Sequence, residues 1–97
     1  MIHPQRLTIF ATIVQAGSIS RAAVELGCDK SAVSRQLTRL EAEFGSQLIR
    51  RTTRGMALTE MGNLVLHEAR QIDSAMARIE RLAGSAPRAL SGPVFRA

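Results

Sequence analysis

The segment Ser20 to Glu41, SRAAVELGCDKSAVSRQLTRLE, leaves the chain the fewest alternatives, because its small, turn and apolar residues fall where two short crossing helices need them. Ala23 sits at the expected crossing, where a methyl group lets two backbones approach closely while still favouring helix. Gly27 follows where the first helix has to stop and the chain has to turn, a position that favours positive φ. Val33 then drops from the second helix into the angle between the two. Start signals frame the pair. Ser20 is expected to N-cap the first helix with Ile19 and Val24 as a hydrophobic staple, and Asp29 to N-cap the second with Cys28 and Val33 in the same roles. These signals agree on a helix-turn-helix over about residues 19–38.

The second helix is two-faced. Val33, Leu37, Leu40 and Phe44 recur at helical spacing as an apolar stripe for the core. At about 100° per residue, Ser31, Ser34, Arg35, Thr38 and Arg39 lie on the opposite side, with Lys30 in the first turn. Such a face fits the major groove of double-stranded DNA, where Arg pairs bidentately with guanine and Ser or Thr serves bases or phosphates. An ordinary solvated face is the bland reading, and the helix-turn-helix spacing outweighs it. Ser20 and Arg21, at the start of the first helix of the pair, join the candidate DNA contacts.

The charge is placed accordingly. The net charge is +5 and the pI about 11.3, values that suit a polyanionic partner. Up to Thr59 there are eight basic and four acidic residues, an excess of +4, and only +1 remains for the rest. No signal peptide, long uncharged apolar run or polybasic amphipathic helix points to a membrane, and the simplest expectation is a cytoplasmic protein. The single cysteine, Cys28, excludes an internal disulfide and is expected to be a small packed residue.

Before the motif, Leu7, Phe10, Ala11 and Val14 stripe a helix that Pro4 opens and Gly17 closes, so the pair has a third helix to pack against. After it, Leu48 to Arg50 and Met56 to Leu58 are β-competent runs joined by Arg51-Thr52-Thr53-Arg54-Gly55, a hairpin or wing over about 48–58 with Gly55 near the tip. Arg54 on that tip suits a narrow minor groove, while Arg50 and Arg51 suit phosphates. Thr59 and Glu60 start another helix without a breaker before Gly84. Along it Val65, Ala69, Ile72, Met76, Ile79 and Ala83 recur in steps of four and three, with Leu82 alongside. That is a coiled-coil seam of about two and a half heptads on a helix of about 36 Å. A domain of under sixty residues is too small to cover it all, so a homodimer through the linker helix is expected.

Gly17-Ser18-Ile19-Ser20-Arg21-Ala22-Ala23, Ala32-Val33-Ser34-Arg35-Gln36-Leu37, Leu40-Glu41 followed by Gly45, Leu48 and Arg51, and Leu58-Thr59-Glu60-Met61-Gly62 resemble the N-terminal domain of LysR-type transcriptional regulators, almost without gaps from about Pro4 to Leu82. The resemblance implies a mainly α, winged helix-turn-helix fold over 1–59, with three helices and a short β-hairpin wing, followed by a long linker helix over 60–83. It also implies dimers built by antiparallel linker helices and binding to partly palindromic promoter sites. The residues matching Ser34 and Arg35 touch DNA from the recognition helix in that family, and the one matching Arg54 from the wing. For the whole protein it allows a tetramer and a contact with RNA polymerase.

Two departures are chemical. Lys30-Ser31 stand where many members carry Gln followed by Pro or another small residue. Lys offers donors only, favouring guanine or phosphate over adenine. Ile49-Arg50 replace a common aromatic and acidic pair and make the wing more basic, with a steeper expected salt dependence. Residues 84–97 are breaker-rich and read as a hinge, and Val94-Phe95-Arg96 look like the start of a strand, where the resemblance implies that an effector-binding domain, missing from this chain, would begin. A small-molecule effector is expected there and no cofactor or metal in this part.

Rival classes are weaker. An enzyme needs a convergent set of reactive groups, and the two histidines, His3 and His67, have no carboxylate pair, phosphate loop or metal spacing beside them. A sequence-tolerant architectural DNA binder is the main alternative, against which the Ser and Thr of the recognition face argue. A helix-mediated protein-interaction module is the third.

Overall fold

In the computed structural model, which describes residues 1–85, four helices and one hairpin follow one another along the chain. Pro4 stands in the first turn of α1 (Pro4–Ala16), where its missing N–H leaves no carbonyl unserved. Phe10 and Ile13 on this helix are wholly buried. Ile13 lies outside the expected stripe, whose other members Leu7, Ala11 and Val14 are half-buried around it. Helices α2 (Ile19–Leu26) and α3 (Lys30–Phe44) both pack on α1 and on each other. Ala23 and Val33 are buried at 5% and 1% exposure, as the crossing of α2 and α3 requires. Gly27 between them is left-handed at φ 69°, and the N–H groups of Gly27 and Cys28 donate back to Val24 and Ala23.

Two capping expectations need correction. The N-cap of α2 is Ser18, not Ser20: Ser18 is extended and its hydroxyl accepts the Arg21 N–H at 3.1 Å. Starting two residues earlier puts Ile19 inside the helix and buries it, while Val24 stays 82% exposed, so the proposed staple does not form. Asp29 does cap α3, accepting the Ala32 N–H at 2.8 Å. Cys28, expected to pack against Val33, is exposed instead, because the turn after Gly27 closes through its backbone and leaves the thiol outside.

The hairpin pairs β1 (Ile49–Thr52) with β2 (Gly55–Leu58) antiparallel, Ile49 opposite Leu58 and Thr52 opposite Gly55. Its strands reach nearer the tip than the apolar runs indicated, leaving only Thr53 and Arg54 as the turn. Leu48, just before β1, and Leu40 of α3 are wholly buried, so the base of the wing is part of the core. A side chain buried to that degree contributes about 1.5–3 kcal/mol.

Helix α4 (Glu60–Ser85) starts at a tight joint. The Thr59 hydroxyl accepts the Gly62 N–H at 2.9 Å and donates to the Gln47 carbonyl at 2.6 Å, while the Thr59 N–H donates to Leu48 O at 3.0 Å. Gly62 is required there, because a Cβ would overlap the Leu48 carbonyl oxygen. The helix continues through Gly84 to Ser85, past the expected breaker, as a single glycine in a last turn costs only about 1 kcal/mol. The remainder of the expected hinge and the Val94-Phe95-Arg96 strand lie outside the described residues.

The expected dimer seam divides. Val65 and Ala69 belong to the domain core, at 7% and 2% exposure, because the first part of α4 lies across α1 and β2. Ile72, Met76, Ile79 and Ala83 are exposed.

Candidate nucleic-acid interface

Burying Val33 and Leu40 against α1 and α2 turns the opposite side of α3 outward. Lys30, Ser31, Ser34, Arg35, Thr38 and Arg39 line one shallow, open concavity there. The Ser31 hydroxyl donates to Asp29 Oδ1 at 3.2 Å and the Thr38 hydroxyl to the Ser34 carbonyl at 3.0 Å. The Ala32 N–H, then the Ser31 hydroxyl and the Arg35 charge, hold the Asp29 carboxyl below its usual value. The carboxylate that starts the helix is thus kept ionised at its N-terminal end, where the helix dipole also favours it.

The wing arginines part company. Arg51 lines a cleft with Ser18, Ser20 and Lys30, beside the N-terminal ends of α2 and α3. Arg50 points elsewhere, into a depression with Gln47, Thr59, Glu60 and Leu64 at the start of α4. Arg54 is exposed in the two-residue turn, its N–H donating to Thr52 Oγ1 at 3.3 Å. Arg21 is exposed on the first turn of α2. The structure therefore brings Ser20, Lys30 and Arg51 together beside the α3 face, and keeps Arg50 apart from them.

Four side chains that hold this arrangement were not among the expected site residues. Arg6 of α1 donates from Nε to Gln36 Oε1 at 3.0 Å and pairs with Glu43 at 3.2 Å, both partners on α3. The pair is partly shielded, at 18% and 23% side-chain exposure. Glu41 accepts the N–H groups of Leu48 and Ile49 at 2.8 and 3.3 Å, tying the end of α3 to the start of the wing. Gln36 and Glu43 are seven apart on one helix face, a spacing that marks a shared partner only once the packing of α1 is known. Among the described residues no group of three or more His, Cys, Asp or Glu is placed to hold a metal, and no helix is long and apolar enough to cross a membrane.

Three helices with a hairpin beside the third, and a cationic concavity on the outer side of that third helix, define a winged helix-turn-helix protein. The chain belongs to the LysR family: residues 4–63 match the family model described as bacterial regulatory helix-turn-helix protein, lysR family. It is 45% identical over 78 residues to the HTH-type transcriptional regulator CrgA of Neisseria meningitidis serogroup C (strain 8013), a match covering 80% of this chain and 26% of CrgA. Its fold is similar to that of the CbnR DBD in a DNA complex, with a TM-score of 0.76 and 31% identity over 90% of this chain and 100% of that one. It is also similar to full-length LysG of Corynebacterium glutamicum with bound effector Arg, with a TM-score of 0.78 and 30% identity over 86% of this chain and 29% of that one. The chain spans about a quarter of the length of the curated relatives it matches.

Proposed function

We propose that this chain is the sequence-specific DNA-binding part of a transcriptional regulator. In this reading α3 enters the major groove with Lys30 at its leading end, Arg35 and Ser34 contact bases, and Ser20, Arg21 and Arg51 flank them along the backbone. Arg54 reaches the adjacent minor groove from the wing, and Arg39, Thr38 and Ser31 complete the α3 contacts. The single observation that carries it is the convergence of six polar or cationic side chains on the outer face of α3, in a chain whose relatives include a DBD solved on DNA. Binding as a homodimer is supported by the exposed run Ile72, Met76 and Ile79 on α4. Effector binding belongs, on this reading, to another domain of the regulator, as the effector-bound relative supports.

Competition binding tests it. A promoter-derived duplex should outcompete random duplex at physiological salt, and Arg35→Ala should lose about 1–3 kcal/mol of specific affinity. Equal binding of both duplexes would leave only an architectural binder. Sedimentation tests the dimer: a monomer at micromolar concentration, unchanged by DNA, would overturn that part.

A further inference from the structure

We infer, resting on the DNA-reading proposed above, that α3 selects guanine in its half-site, because every two-pronged contact open to its outer face belongs to a cation. Guanine presents two acceptors, N7 and O6, to the major groove. Adenine presents an acceptor beside a donor, so reading it with two bonds takes an amide, and cytosine presents a donor that takes a carboxylate or similar acceptor.

None of the neighbouring amide and carboxylate side chains lines the outer concavity of α3, and each is held by a partner within the domain. Gln36, the one amide on α3, has its Oε1 held by Arg6 on the α1 side, and lines a separate groove with Arg6 and His3. Asp29 accepts the Ala32 N–H and the Ser31 hydroxyl. Glu41 accepts two N–H groups at the base of the wing, and Glu43 pairs with Arg6. Ser31 and Thr38 spend their hydroxyl protons on Asp29 and on the Ser34 carbonyl, so each offers the groove single-point acceptance. What the face retains for two-pronged recognition is Lys30 at the first position of α3 and Arg35 and Arg39 further along, all donors. Lys30 and Arg35 lie nearest the N-terminal end that recognition helices lead with.

The test selects random duplexes with the 97-residue chain, then resynthesises the selected half-site with single base analogues. 7-Deazaguanine replaces N7 by C–H, and inosine keeps both major-groove acceptors. A guanine should appear in each half-site, 7-deazaguanine there should lower affinity by about tenfold or more, and inosine should leave it nearly unchanged. Lys30→Ala or Arg35→Ala, both at exposed positions, should bind the guanine and 7-deazaguanine duplexes alike. A half-site without guanine, a larger penalty from 7-deazaadenine, or full discrimination in both variants would overturn the inference while leaving sequence-specific binding intact. No enrichment over random duplex would overturn that binding, and the inference with it.

Discussion

The two ends of α4 carry one apolar rhythm and bury opposite shares of it. Val65, Leu66 and Ala69 are 7%, 6% and 2% exposed, whereas Ile72, Met76, Ile79 and Leu82 rise through 42%, 50%, 57% and 64%. The first part of the helix has α1 and the hairpin beneath it, and exposure climbs with distance from them. A heptad-like seam thus says that a helix has an apolar side, and leaves open what covers it. Here the domain itself takes the first third.

The sharpest way to break this contrast is to truncate one residue at each end. Leu66→Ala should cost about 2–5 kcal/mol in urea unfolding, whereas Ile79→Ala in the dilute chain should change it by less than about 0.5 kcal/mol. Equal losses would mean that the far end is covered within the monomer. Next in size, Gly62→Ala should cost about 1–3 kcal/mol through the overlap with the Leu48 carbonyl. An unchanged midpoint there would show that the joint under α4 yields freely.

A similar contrast separates the wing arginines. Arg51→Ala should lower the salt slope of DNA binding by about one, and Arg50→Ala should lower it less, since only Arg51 shares a cleft with Lys30. Matching slopes would remove that distinction. The smallest effect is expected from Asp29. Its carboxyl is held below the unfolded value, so its contribution is fully present above about pH 4 and is lost as pH falls through the lower folded value. Asp29→Asn, which still caps but does not ionise, should flatten acid unfolding in that window, and an unchanged acid profile would count against the cap's role.

Much of the domain was legible because its signals are local. Ala23, Gly27, Asp29 and Val33 specify a crossing, a turn, a cap and a core contact within eleven residues of chain, and each behaves as its chemistry dictates. Failures occurred where two neighbours compete or where a distant element decides. Ser18 and Ser20 are equally good caps in isolation, and the burial of Ile19 settles the choice. Cys28 reads as packed by type and is exposed by turn geometry. Val65 and Ala69 read as partner-facing because nothing near them in sequence announces that α1 lies underneath. Likewise Arg6 was only a charge until α1 and α3 were side by side. The outward set on α3 was legible from periodicity alone, and the partition of Arg50 from Arg51 needed the hairpin register.

Thr59 clasps the start of α4 to the wing base with two hydrogen bonds and caps Gly62 with a third, and at Gly62 there is no room for a methyl group. A joint of that kind has little swivel, so the direction of the helix and the direction of the hairpin are one variable rather than two. Any partner that fixes how α4 leans also sets where Arg54 is aimed, as the handle of a caliper sets its jaw.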